Sequence, residues 1–223
     1  MTRPQITIRG LLILMATIVL TITYVGNFIR MRSAEAELAR LRDEVGYLEA
    51  SDADEIAAVR VASTEPLVWQ SRIRVPKGAA YRVAYSAVWG QAKQAPEWFA
   101  AQRVPEGESL ITVRVLKDPR DDRWKITTIV RHAGGVSRIG TALPEELATV
   151  FRGTHDVMST GVGRQTVSRS AGESIRLFDE RYFAGSSMLL YGDQGPAEDL
   201  VGIYAELQPD DQPLNPAVAR SRR

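Results

Sequence analysis

The stretch LITVRVLKDPRDDRWKITTIVR, residues 110–131, indicates the fold class of most of the chain. Apolar and polar residues alternate on both sides of a polar segment at 117–123, which is the pattern of a half-buried β-hairpin. Asp118, Asp121 and Asp122 crowd its turn. Such carboxylates can bind calcium, but the D-x-D-x-D-G spacing of a calcium loop is missing. The sequence therefore favours a structural turn and predicts no metal site.

The same two-residue period recurs on both sides of this hairpin. Further strands are predicted at 56–62, 67–75, 81–89, 164–168, 174–178 and 200–207. The segment Pro76-Lys77-Gly78 reads as the turn that joins the second and third of these. One short helix is predicted at 144–151, with proline at its start. Many short strands and one small helix predict an antiparallel β-sandwich or jelly-roll-like domain over residues 51–208, followed by a disordered tail at 209–223.

The N-terminal part of the chain has a different pattern. Residues 10–29 read GLLILMATIVLTITYVGNFI, twenty residues without a charge, after a short tail at residues 1–9. A helix of this length spans roughly 30 Å, the thickness of the hydrocarbon core of a bilayer. A cleavable signal peptide is the alternative, but its first small-x-small site, Ala34-Glu35-Ala36, lies inside the next helical pattern. The sequence predicts a transmembrane helix at 10–29.

Arginines flank this run on both sides, so the positive-inside rule gives no clear orientation. A short tail inside and a large domain outside is the common arrangement for such a chain. We therefore expect a single-pass protein of the cell membrane with an extracytoplasmic β-domain.

Residues 30–50 form a predicted juxtamembrane stalk. Its apolar residues follow the a/d positions of a heptad repeat: Met31, Ala34, Leu38, Leu41, Val45 and Leu48. This pattern predicts a coiled coil that joins a homo- or hetero-oligomer through Leu38, Leu41, Val45 and Leu48. The alternative is a single helix that docks its apolar stripe on the following domain. Gly46 is a weak position, costing about 1 kcal/mol in a helix interior.

The composition excludes several classes of function. The chain has no cysteine, which excludes cysteine-ligated zinc, a thiol nucleophile and disulfides. It holds 28 Lys+Arg and 27 Asp+Glu, and the first fifty residues hold 6 and 5 of these, which leaves 22 of each for the remainder. This balance argues against nucleic acid as a partner, and no cofactor is predicted. A neutral domain is expected to recognise a ligand by shape and loops.

The segment 91–107 is predicted as a long loop, and it carries Glu97, Trp98 and Phe99. Exposed aromatic rings on a sandwich loop are a frequent means of contacting glycans and proteins. These three residues are the predicted ligand-binding site. The alternative is that the two rings fold back and cap the core.

The sequence favours a function without catalysis. His155-Asp156 could form a hydrolytic triad with Ser159 or Ser168, but no nucleophile elbow accompanies them. An enzyme with an unrecognised site, using Glu97, Asp118 or His155, is the lesser alternative.

Four segments resemble parts of a known group of proteins. These are ITIRGLLILMATI at 6–18, RIRVPKGAAYRV at 72–83, LITVRVLKDPRDDRWKITTIV at 110–130 and STGVGRQTVS at 159–168. They are similar to an uncharacterised group of single-pass membrane-anchored proteins of planctomycete-type bacteria. The resemblance covers most of the chain and implies the same order of anchor, short helix and β-domain, with no activity to carry over.

Together these features predict an envelope protein that displays its β-domain for binding or scaffolding. The alternative is an assembly protein that acts through its anchor and coiled coil, similar in topology to small bitopic cell-division proteins.

Overall fold

The computed structural model describes residues 8–90, 95–153, 155–183, 200–211 and 213–214. The chain divides into two compact units, residues 1–43 and 44–223. The first is helical and the second is built of strands.

Helix α1 spans Ile8–Val45 and contains the whole apolar run at 10–29. Thr17, Thr21 and Thr23 each donate a hydroxyl hydrogen bond to the carbonyl four residues earlier, at 2.8–2.9 Å, so these polar groups do not interrupt the helix. The predicted transmembrane segment and the predicted stalk are therefore one continuous helix. The predicted end of the stalk at residue 50 is wrong, because α1 ends at Val45.

Gly46 ends α1. Its φ is +62°, in the left-handed region that favours glycine, and a Cβ added there would collide with the Cγ2 of Val61. Arg72 donates two hydrogen bonds to the Val45 carbonyl, from Nε at 3.2 Å and from Nη2 at 3.0 Å. Gly46 is thus a helix terminator, and the expectation of a weak position inside the helix is wrong.

The second unit contains eleven described strands and one short helix. In chain order they are β1 Glu55–Val61, β2 Val68–Val75, β3 Tyr81–Trp89, β4 Ala100–Val104, β5 Gly107–Asp118, β6 Arg123–His132, β7 Gly135–Ala142, α2 Glu145–Arg152, β8 Asp156–Gly161, β9 Val167–Ser170, β10 Ile175–Phe183 and β11 Leu200–Pro209.

These strands form two antiparallel sheets. The first has the order β7-β6-β5-β2-β1-β9, and the second has the order β4-β3-β11-β10-β8. Apolar side chains from both sheets make one core, with Ile73, Ile111 and Ile126 from the first sheet and Tyr85 and Leu177 from the second, all fully buried. The prediction of a mainly β, antiparallel sandwich-like domain after an N-terminal helix is confirmed.

The hairpin at 110–131 is confirmed and is longer than predicted. Strands β5 and β6 pair from Ser109↔His132 to Asp118↔Arg123. The turn at Pro76–Gly78 also exists, with φ +79° at Gly78. It does not close a hairpin, however, because β2 belongs to the first sheet and β3 to the second. The chain crosses between the sheets at this turn.

Three strands are missing from the sequence prediction: β4, which lies inside the predicted loop at 91–107, β7 and β8. All three are edge strands of their sheets. Most of their residues are exposed or half-buried, so they lack the alternation that marks a strand with one buried face.

The domain extends beyond its predicted bounds at both ends. At its start, Leu48 is buried against Ala57 and Val59 of β1. At its end, Pro209 belongs to β11, and the Asp210 carboxylate lies 2.7 Å from Nε of Arg103. The predicted disordered tail therefore does not begin at residue 209. Residues 212 and 215–223 lie outside the described part of the chain.

Candidate functional site

Glu97, Trp98 and Phe99 lie directly before β4, at one edge of the second sheet. The Phe99 N–H donates to the Tyr85 carbonyl at 2.9 Å, which extends the pairing of β3 with β4 by one residue. Glu97 is exposed, Phe99 is half-buried and Trp98 is only 6% exposed. Residues 91–94 of the predicted loop lie outside the described residues. The end of this segment is therefore hydrogen-bonded to β3. Trp98 is buried, and is not the exposed ring that the sequence suggests.

Trp98 caps a small apolar cluster on the outer face of the second sheet. It packs with Ala84 and Tyr204, and Trp89 packs against the same cluster. The Trp89 and Tyr204 rings meet edge to face, with centroids 5.3 Å apart. Phe99 packs against the main core between the sheets. Both rings thus pack on apolar residues of their own chain, as expected if they fold back and cap the core.

The same rings also line a cavity of about 580 Å³, which falls in the size range of small-molecule sites. Its walls come from both sheets and from the start of α2: Val88, Gly90, Glu97, Trp98, Phe99, Thr141, Ala142, Pro144 and Leu147. The lining is mostly apolar, and Glu97 and Thr141 add a carboxylate and a hydroxyl. All three predicted ligand-binding residues thus lie on this cavity, which we call the aromatic cavity.

A hydrogen bond between the sheets fixes one wall of the aromatic cavity. The Tyr85 hydroxyl and Oγ1 of Thr141 lie 2.8 Å apart. Burial raises the pKa of Tyr85. The bond joins β3 of the second sheet to β7 of the first, beside the cavity wall that Thr141 lines.

Two arginines stack on the tryptophans of the outer face. The guanidinium of Arg176 lies 4.9 Å from the Trp89 centroid and 5.6 Å from that of Trp98, and Arg181 lies 4.6 Å from Trp89. Arg176 is bonded to Glu206 at 2.7 Å, and Arg181 to Asp179 at 2.8 Å. These cations are held by both rings and carboxylates.

The sequence analysis does not identify this cluster, because regular alternation along the strand at 81–89 would place Trp89 on the same face as Tyr85. Strand β3 departs from regular alternation at Ser86, whose hydroxyl bonds both the N–H and the carbonyl of Val88. The register with β11 shifts at the same place. Trp89 therefore joins the outer cluster of Ala84 and Tyr204.

A second polar cluster joins the two sheets. Arg60 of β1 and Glu180 of β10 form an ion pair at 2.6 Å, and the Ser159 hydroxyl donates to the same carboxylate at 2.8 Å. Glu180 is buried, and the charge of Arg60 balances its carboxylate inside the domain. Ser159, a candidate member of the hydrolytic triad, is thus bonded to this ion pair.

The carboxylates of the β5–β6 turn are bonded to cations. Asp118 accepts hydrogen bonds from Arg120 at 2.7 and 3.0 Å and from Lys125 at 2.9 Å. Arg120 and then Lys125 hold the pKa of Asp118 well below its usual range. Asp121 is paired with Lys125 at 2.6 Å. The structural-turn interpretation fits these contacts.

The predicted oligomerisation residues divide into two groups. Leu38, Leu41 and Val45 are 54, 43 and 52% exposed on α1. Leu48 lies beyond the helix and is 5% exposed, because it packs on β1. The prediction that Leu48 contacts a partner helix is therefore wrong. This residue packs on the following domain, as the alternative interpretation expects.

Comparison of the chain with protein-family models, with curated proteins and with solved structures finds no match. The resemblance to planctomycete-type anchored proteins stays a prediction.

Proposed function

We propose that this chain is a single-pass membrane protein that displays its β-domain outside the cytoplasm. One observation carries the membrane anchor: α1 contains a span, Ile8–Arg42, whose most apolar 18 residues have a mean hydropathy of 2.1 and are not buried by the rest of the described chain. Such a surface is stable when lipid covers it. The helix also continues through Ala34-Glu35-Ala36, which favours an anchor over a cleaved signal peptide.

The proposed role of the displayed domain is to bind a ligand in the aromatic cavity. Glycans and peptide segments are the two ligand classes that suit its lining, because apolar walls with one carboxylate and one hydroxyl can receive either a sugar face or an apolar side chain. Glu97 would accept hydrogen bonds from the hydroxyls of a sugar or from the N–H groups of a peptide. Phe99 and Trp98 would form the apolar wall.

The anchor is tested by fractionation and cysteine labelling, for which the cysteine-free chain is suited. The full chain should stay in the membrane pellet after alkaline carbonate extraction, and residues 44–223 alone should be soluble. Thr64→Cys, at an exposed position of the domain, should react with a membrane-impermeant maleimide in intact cells, whereas Thr2→Cys should react only after lysis. Release of the full chain by carbonate would overturn the anchor, and the reverse labelling pattern would overturn the orientation.

The binding role is tested by filling the aromatic cavity. Ala142 is an exposed residue that lines it, so Ala142→Trp should block the cavity and leave the core intact. Ala62→Trp, which fills a different cavity beside Arg60, is the matched control. Arrays of neutral oligosaccharides and of short peptides serve as the two sets of probes. Binding that is lost in Ala142→Trp and kept in Ala62→Trp supports the proposal, and binding that both variants keep contradicts it.

A further inference from the structure

We propose that α1 pairs with α1 of a second copy as a parallel two-stranded coiled coil over residues 31–45. This inference rests on the proposed membrane anchoring, because anchors in one bilayer orient two chains in the same direction and raise their effective concentration. It names the partner and the orientation, which the heptad pattern alone leaves open.

The a and d positions of α1 between residues 31 and 45 form a continuous apolar seam. Met31, Leu38 and Val45 occupy a positions, and Ala34 and Leu41 occupy d positions, on one unbroken helix. The four large members of this set are between 43 and 54% exposed, so the described chain leaves the stripe accessible. Leu48 is excluded because it packs on the domain.

The charged residues that flank this seam are complementary between two parallel helices. With this register, Arg30 and Glu37 occupy g positions, and Glu35 and Arg42 occupy e positions. In a parallel pair each g residue faces the e residue five positions later in the other helix. Arg30 would therefore face Glu35 of the second copy, and Glu37 would face Arg42. Both contacts join opposite charges, and the two-fold axis repeats each of them.

The antiparallel pair lacks this match. In an antiparallel pair the a positions face d positions and the g positions face g positions, so the register that packs Leu38 on Ala34 places Glu37 opposite Glu37 of the second copy. Within one chain Glu37 bonds Arg40 at 2.7 Å, but both side chains are more than half exposed, so this pair is weak and can exchange partners. The flanking charges therefore specify the same orientation as the membrane.

Asn27 extends the seam to the membrane surface. It lies at the next d position towards the N terminus, three residues before Arg30. The threonine hydroxyls of the apolar run bond to carbonyls of their own helix. Two facing Asn27 amides can bond each other, and such contacts fix the register of helices in membranes and in coiled coils.

Disulfide crosslinking of the full chain in membranes tests the pairing. Ala34 at d and Ala36 at f differ only in the face of the helix that they occupy, so Ala34→Cys and Ala36→Cys are a matched pair. Facing d residues lie within disulfide distance in a parallel dimer, so Ala34→Cys should give about tenfold more homodimer than Ala36→Cys under mild oxidation. Equal yields, or an adduct of Ala34→Cys with a different protein only, would overturn the proposal.

Charge reversal in the Ala34→Cys background tests the orientation. Glu37→Arg and Arg42→Glu should each reduce the rate of crosslinking about fivefold, because each places two like-charge pairs at the interface. Glu37→Arg combined with Arg42→Glu should restore the rate. A double variant as slow as the single variants would contradict the g–e contacts. Loss of the chain from the membrane fraction would instead contradict the proposed anchor, so the two failures are distinguishable.

Discussion

Helix α1 and the β-domain bury their apolar residues in different ways. The leucines of α1 between residues 11 and 41 are all exposed, whereas those of the main core, such as Leu177 and Leu207, are fully buried by their own chain. The domain thus has a self-contained core, whereas the apolar side chains of the helix stay exposed in the described part of the chain. The same substitution should therefore affect stability in one region and location or association in the other.

Truncation of a core leucine should give the largest effect. Leu177→Ala should lower the free energy of unfolding of the domain by about 3 kcal/mol, because the lost side chain leaves a cavity between the two sheets. All four tryptophans lie in the domain, so tryptophan fluorescence during denaturant unfolding of the full chain reports this region alone.

Leu20→Ala in α1 is the matched control for this comparison. Leu20 is 70% exposed, so its truncation should leave the unfolding curve of the domain unchanged. A shift similar to that of Leu177→Ala would show that the two regions are energetically one unit.

The two regions also differ in the role of glycine. Gly46 ends α1 at φ +62° with Val61 against it, so Gly46→Ala should destabilise the domain by roughly 1 to 2 kcal/mol through backbone strain and collision. Gly26 lies within α1 with no atom near its Cβ position, so Gly26→Ala should leave the domain unaffected. The midpoint of thermal unfolding, followed by tryptophan fluorescence, checks both. An unchanged midpoint in Gly46→Ala would mean that the backbone at the end of α1 rearranges without loss of stability.

The strands with one buried face could be predicted from sequence, and the edge strands could not. Ile111, Val113 and Val115 of β5 recur every two residues because this face of the strand packs on the core. Strands β7 and β8 lie at sheet edges, none of their residues is fully buried, and their sequences show little apolar alternation. Apolar residues recur with a regular period only where a strand buries side chains, and these edge strands bury few.

The candidate site was only partly predictable for a related reason. The sequence identified Glu97, Trp98 and Phe99, but local reading could not show that Trp98 lies under Arg176, which is 78 residues further along the chain. In the same way, the heptad spacing assigned Leu48 to an oligomer seam, because spacing alone does not tell a partner helix from a strand of the same chain. Contacts between distant segments decide both cases.

The smallest expected effect concerns the charges of the β5–β6 turn. Arg120 and Lys125 lower the pKa of Asp118 in the folded state, so its contribution to stability is present above the pKa of the unfolded chain, about 4, and is lost as the pH falls below that value. Asp118→Asn should therefore lower the midpoint of thermal unfolding by a similar amount from pH 7 to about 5, and the difference from the unsubstituted chain should shrink below about pH 4. Asp122→Asn is the control, because Asp122 is exposed and asparagine also tolerates its φ of +58°. An Asp118→Asn deficit that stays constant to the lowest pH would mean that the side chain acts through packing, and that its charge contributes nothing to the domain.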